Sequence, residues 1–283
     1  MIVFQAGAVR AHRERAARLD PEGRFLVREV RARLGERLAD VRRGFAAVLE
    51  LGPGDGEPAL ADPGAVTVAL DPAQGFAARA KLGVVGEAEF LPFADRSFDL
   101  VLGTLGLHWA NDLPGALIQL RRVLRPDGLL LASLLGGETL TELRQSLALA
   151  ELELTGGANP RVSPVAELAD LAGLLQRAGF ALPVADADRL TLTYPDAFAL
   201  MAELRALGET SALATRPRGL ARRALFFRAA ELYRERFGQA DGRIPATFEL
   251  INLAAWAPDQ SQPKPLARGS ASRSLKTALD GEA

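Results

Sequence analysis

The spacing of apolar and polar positions divides the chain into three textures. Over residues 10 to 43, Phe25, Leu26, Val30, Leu34, Leu38 and Val41 recur three and four apart in charged sequence, the spacing of one or two amphipathic helices. From residue 46 the pattern changes to short unbroken apolar runs alternating with helical segments. Ala46 to Leu51 (AAVLEL), Val66 to Leu70, Gly83 to Glu87, Phe98 to Gly103 and Leu129 to Leu134 read as strands, with helices predicted over Phe76 to Leu82 and Pro114 to Leu124. Apolar runs without alternation suit strands buried on both faces, and strands separated by helices imply a parallel α/β sheet with helices on each side. Past residue 135, helices are predicted over 138 to 155 and 163 to 178 and a strand over Leu182 to Thr193. Helix follows over Pro195 to Phe237, broken near Thr215 to Gly219, and then an antiparallel edge strand over Pro245 to Trp256.

This pattern predicts an N-terminal helical cap over residues 1–45 and an α/β domain over 46–257, with a helical insertion at about 195–238 and a polar tail over 258–283. The insertion and the tail segment Gln260 to Lys264 are expected to cover the substrate side of a pocket at the carboxyl ends of the strands.

Charge narrows the partners. With 34 basic against 35 acidic residues the net charge is −1, so no global attraction to nucleic acid or to an anionic membrane is expected. The helical region over 10 to 43 holds eleven Arg and six acidic residues, an excess that suits a solvated face or an acidic partner. No apolar run reaches the roughly 18 residues of a membrane span. The opening MIVFQAGAVRAHRERAARLD carries its charge after its short apolar run, the reverse of a secretory signal, and a cytoplasmic address is expected. With no cysteine, disulfide, thiolate and Cys-ligated metal chemistry is excluded, and His12 and His108 are the two imidazoles.

Three positions carry candidate chemistry. Gly52, Gly54 and Gly56 follow the first buried strand, where glycine lets the backbone turn tightly and approach a ligand at the carboxyl end of the sheet. A dinucleotide fingerprint would need glycine where Glu57 stands, and Pro58 follows, which disfavours a pyrophosphate. Glu50 inside the strand end would repel phosphate and attract a cationic amine or sulfonium. Asp71 ends the second strand, where a carboxylate accepts from both hydroxyls of a ribose or caps the following helix. Glu87, just after the third strand, either accepts an adenine amine, with Phe90 or Leu91 packed on the ring, or is a surface acid.

In this order and spacing the three sites resemble the class I S-adenosylmethionine-dependent methyltransferases. The resemblance implies that Glu50, Gly52, Gly54 and Gly56 hold the methionine part of the cofactor, that Asp71 holds the ribose, and that Glu87 with Ala88 meets the adenine. Pro53 and Asp55 depart from the residues common in that turn. The implied fold is a Rossmann-like, mostly parallel sheet of seven strands, the last antiparallel. A narrower resemblance rests on Leu107 to Pro114 (LHWANDLP), Met201 to Glu209, Gly242 to Glu249 and Gln260 to Pro265. These look like bacterial relatives of the mitochondrial complex I assembly methyltransferase-like factor, itself similar to the malonyl-acyl-carrier-protein methyltransferase of biotin synthesis. The first family implies arginine hydroxylation of a complex I subunit, the second carboxyl O-methylation, so a protein or carrier-protein-bound substrate is expected.

His108 follows the fourth strand and is the candidate catalytic residue, either moving a substrate proton or shaping the pocket beside Trp109. His12, Glu14 and His108 formally make the two-histidine, one-carboxylate set of iron oxygenases, but His12 falls in a charged N-terminal helix, and no metal site is expected. Tyr194 and Tyr233 read as packing residues. Methyl transfer needs alignment and exclusion of water more than side-chain chemistry, so an enzyme is expected; an assembly protein that holds a client without turnover is the rival.

Overall fold

The structure, a computed structural model, describes residues 2–54, 64–163, 168–216, 219 and 221–263. Two helices open the chain, α1 (Ala6–Ala17) and α2 (Phe25–Ala39). The alternating region supplies β1 (Ala47–Leu51), β2 (Val66–Asp71), α3 (Gln74–Ala77), β3 (Gly83–Val85), β4 (Phe98–Thr104), α4 (Leu113–Val123) and β5 (Leu124–Leu135). The remainder gives α5 (Thr141–Thr155), α6 (Leu168–Arg177), β6 (Ala181–Tyr194), α7 (Ala197–Leu207), α8 (Arg223–Phe237) and β7 (Ile244–Trp256). All strands join one seven-stranded sheet of order β3-β2-β1-β4-β5-β7-β6, parallel except for β7, as the family resemblance implies.

Alternate residues of the central strands feed two cores. Leu100, Leu102, Leu129 and Leu131 pack on one face with Leu26, Val30 and Leu34 of α2; Val101 and Leu130 pack on the other with Leu117 and Leu120 of α4 and Leu171 of α6. The unbroken apolar runs are thus explained by burial on both faces, each leucine so covered contributing about 1.5–3 kcal/mol. The stripe of α2 makes that helix one layer of the sandwich.

Three predicted elements change. The strand over Pro245 to Trp256 is not at the edge: β7 lies between β5 and β6, and Ala246, Phe248, Leu250, Ile251 and Leu253 are buried. The edge strand on that side is β6, whose residues are half-buried or exposed until Tyr194. The helix expected over Phe76 to Leu82 shrinks to α3, because the chain must turn by Gly83 to lay β3 beside Ala69 of β2. The described start of the tail, through Pro263, does not lie at the carboxyl ends of the strands. Because β7 runs antiparallel, Trp256 lies opposite Leu129 at the start of β5, so the chain leaves the sheet at the other end. There Gln262 Nε2 donates to Asp127 Oδ1 at 3.0 Å. Lys264 and the rest of the tail, the break residues Pro217, Arg218 and Leu220, and residues 164–167 of the helix expected from 163 lie outside the described residues. Among the described residues no helix is long and apolar enough to cross a membrane.

Candidate active site

The turn after β1 meets the end of β4 at close range. Gly52 and Gly54 have φ of +63° and +69°, and a Cβ on Gly52 would stand 2.8 Å from the Thr104 carbonyl oxygen, so the turn needs glycine sterically as well as conformationally. Asp55 and Gly56 lie outside the described residues. Glu50 is buried and ion-paired with Arg31 of α2. Burial pushes its carboxyl up from the ordinary carboxylate range, against the pull of the Arg31 guanidinium.

Asp71 is fully buried at the end of β2. Its Oδ1 accepts from Arg13 Nε at 3.1 Å and from the Ala73 amide at 2.8 Å; its Oδ2 accepts from Arg13 Nη2 at 2.5 Å. Burial works against the charge of Arg13, but the Asp71 carboxylate outweighs it and holds the guanidinium pKa above its ordinary value. The helix-capping role open to Asp71 is filled by Glu14 of α1, which accepts from the Gln74 and Gly75 amides at 2.5 and 3.2 Å.

Gly52, Pro72, Glu87, Ala88 and Leu107 line one narrow cleft at these strand ends. Glu87 is half-buried there with Ala88 beside it. The expectation that Phe90 or Leu91 packs on an adenine is corrected: Phe90 is 78% exposed and Leu91 turns into the core beneath the sheet. Leu70, Pro72 and Leu107 supply the apolar walls instead.

One wall comes from the N-terminal segment. The amides of Val3 and Phe4 donate to Asn111 Oδ1, both at 2.8 Å; Phe4 stacks edge-on against Trp109; and the Gln5 amide donates to the Ala212 carbonyl at 2.8 Å. Ala6, Val9 and Arg13 therefore line the cleft. Arg24 pins the far end of α1, donating to the Ala16 carbonyl at 2.5 Å and the Ala206 carbonyl at 3.0 Å, and burial lowers its pKa to about 10. Sequence reasoning missed Arg13, Arg24 and Arg31, because their partners lie in other elements and leave no local spacing to read.

Trp109 also lines a second, larger cavity, and His108 lies beside it in that cavity's wall. Its Nε2 contacts Glu209 Oε2 at 3.0 Å, and Trp109 Nε1 donates to Glu209 Oε1 at 3.3 Å. The His108 Nδ1 is buried without a hydrogen-bond partner. The larger cavity is walled by Leu140 and Leu143 at the start of α5, Met201 and Leu204 of α7, and Phe226 of α8. The helices between β6 and β7 thus cover this side of the sheet. Leu105 and Leu140 hold φ of 47° and 56°, backbone strain of the kind concentrated at functional sites. His12 Nδ1 lies 2.9 Å from the Thr210 carbonyl, and burial lowers its pKa. With Glu14 on α3 and His108 on Glu209, the three residues of the formal iron set have three separate partners. Tyr233 donates to the Pro245 carbonyl at 2.7 Å, and burial raises the pKa of both Tyr194 and Tyr233, in keeping with packing roles.

A glycine turn, a strand-end carboxylate and an apolar slot at the carboxyl ends of a parallel sheet define a nucleoside-binding enzyme of the Rossmann-like class. Comparison with known proteins narrows the class. A family model described as a methyltransferase domain matches residues 49–132. The chain is 38% identical to the mitochondrial arginine-hydroxylase NDUFAF5 of Danio rerio, over 97% of this chain and 89% of that protein. It is 37% identical to the malonyl-[acyl-carrier protein] O-methyltransferase of Xylella fastidiosa (strain M23), over 90% of this chain and 89% of that one. The solved structure of the Bacillus halodurans protein BH2331 superposes with a TM-score of 0.55 at 19% identity, covering 82% of this chain and all of that one, and shows the same fold. The chain belongs to the S-adenosylmethionine-dependent methyltransferase family, and S-adenosylmethionine is its cofactor.

Proposed function

We propose that the chain transfers the methyl group of S-adenosylmethionine to a group carried on a protein or a carrier protein. The observation that carries this reading is that Trp109 lines both cavities, with His108 beside it in the wall of the larger one. The residues present fit the cofactor. Gly52 borders the cleft for its methionine part, Glu87 with Ala88 borders the apolar slot suited to adenine, and Asp71, buried behind Arg13 at the end of β2, would meet the ribose once Arg13 releases it.

When bound, the cofactor supplies a methyl group on a sulfonium. What the chain itself must do is align an acceptor and exclude water. The N-terminal segment and α7 enclose the site, and the apolar walls of the larger cavity hold the acceptor. His108, the titratable side chain beside Trp109, orients the acceptor or takes its proton.

A second reading draws on the relatives called arginine-hydroxylase, which match nearly the whole chain. On that reading the client is a protein arginine, on a complex I subunit by the sequence resemblance, and the product gains oxygen. A third would have the chain hold its client without turnover. Incubation with S-adenosylmethionine and a lysate of a deletion strain, followed by peptide mass analysis, separates them. One added methyl group with accumulating S-adenosylhomocysteine is expected. Protein-dependent addition of oxygen without that product would favour hydroxylation, and no modification would favour client holding.

A further inference from the structure

The buried Arg13–Asp71 pair raises a difficulty for the cofactor reading, on which the following inference rests. A carboxylate has about four acceptor sites. Arg13 Nε, Arg13 Nη2 and the Ala73 amide already take three of those on Asp71. What remains is too little for both hydroxyls of a ribose, so full engagement requires Arg13 to let go.

A buried guanidinium that loses its carboxylate needs another anion, because an unpaired buried charge is costly. Glu209 is placed to receive it. The Arg13 side chain packs on Gly208, with Cγ 3.2 Å from where a Gly208 Cβ would stand. Arg13 and Glu209 line one small internal void, and the Glu209 carboxylate already acts on Arg13 electrostatically. That carboxylate is otherwise committed to His108 Nε2 and Trp109 Nε1.

We propose that Arg13 is a positioning residue that reports cofactor occupancy to His108, exchanging Asp71 for Glu209 when a ribose arrives and so loosening the hold of Glu209 on the imidazole. The exchange sets an order: His108 turns toward an acceptor only once the cofactor is in place. Its Nδ1, buried and without a partner, gives the released ring a reason to turn. α1 suits the task, since its neighbouring His12 is bonded to Thr210, the residue after Glu209. Movement at Arg13 and movement at the wall of the larger cavity are therefore linked through one helix.

The test uses the full chain and S-adenosylhomocysteine as probe, with calorimetry for affinity and imidazole nitrogen NMR for His108. The second histidine signal is assigned with His12→Gln. In the wild type the His108 resonances are expected to move on binding. Arg13→Gln removes the competitor for Asp71, so affinity should rise about threefold or more, and the His108 response should largely vanish. Arg13→Lys keeps the charge and should restore the response. Glu209→Gln leaves the Arg13–Asp71 pair in place but removes the second anion, and should weaken binding about threefold or more. This variant and the wild-type spectrum decide the matter even if Arg13→Gln fails to fold. Weaker binding by a folded Arg13→Gln, unchanged affinity in Glu209→Gln, or unmoved His108 signals would overturn the exchange while the cofactor site stands. A wild type that does not bind the probe would overturn both.

Discussion

The cofactor cleft and the larger cavity share Trp109, yet they are built in opposite ways. The cleft is made at strand ends: Gly52 just past β1, Pro72 just past β2 with Asp71 buried beneath it, Glu87 just past β3 and Leu107 just past β4 each arrive by their place in the sheet. The cavity is made by helices that meet far from each other in sequence, with Leu143 on α5, Leu204 on α7 and Phe226 on α8. Its polar groups are also held differently. Asp71 is fixed by one buried ion pair at the sheet, whereas the 159–161 segment that walls the cavity hangs on Glu151 of α5. Glu151 accepts from Arg161 Nη2 at 2.5 Å and from the Asn159 amide at 2.8 Å. On the proposed reading, cofactor binding depends on positions fixed by the sheet, whereas acceptor choice depends on helices that the tertiary fold brings together.

Substitutions should separate the two regions. The largest effect is expected from His108→Gln beside the shared Trp109: turnover should fall about a hundredfold if the imidazole moves a proton, with S-adenosylhomocysteine affinity within about twofold of wild type. Steady-state assays beside calorimetry would check it, and a matching loss of affinity would mean His108 belongs to the cleft alone. Asp71→Ala should lower affinity for the same ligand at least about tenfold, since two hydroxyl contacts to a charged acceptor are lost. Equal calorimetric affinity in mutant and wild type would remove Asp71 from the site. Filling the cavity with Met201→Trp should raise the KM for the acceptor several-fold and leave cofactor affinity unchanged.

The smallest effect concerns acid. Hydrogen bonding from Arg161 lowers the Glu151 pKa from 4.5 to about 2. A depressed carboxylate stabilises the fold fully above its unfolded pKa, and that contribution is lost as pH falls through the folded value. The wild type should therefore lose about 1–2 kcal/mol between roughly pH 4.5 and pH 2 that Glu151→Gln does not lose. Denaturant melts of the pair across that range would show it, and parallel pH profiles would contradict it.

The same contrast explains what the sequence made legible. Strand ends leave local marks, a glycine after an apolar run and an acid closing the next, so Gly52, Gly54, Asp71 and Glu87 can be picked out from neighbours alone. The cavity and the N-terminal wall have no such marks. Arg13 meets Asp71 across 58 residues and His108 meets Glu209 across 101, distances over which spacing carries no signal. The misplaced edge strand has a related cause. Short-range alternation in Pro245 to Trp256 suggested one exposed face and a free edge, but β5 and β6 pair with both of its edges and its side chains are buried or half-buried on both faces. Direction decided the tail as well, since antiparallel β7 delivers Gln262 to the end of the sheet away from the cleft.

We place S-adenosylmethionine at the strand ends, held by Asp71 and Glu87, and a crystal structure of the full chain with S-adenosylhomocysteine decides this placement. The ribose hydroxyls are expected on the Asp71 carboxylate, the adenine in the slot between Pro72, Ala88 and Leu107, and the thioether sulfur facing His108. Ligand density confined to the larger cavity, or a bound ribose that leaves the Arg13–Asp71 pair untouched and Asp71 without contact to it, would contradict it.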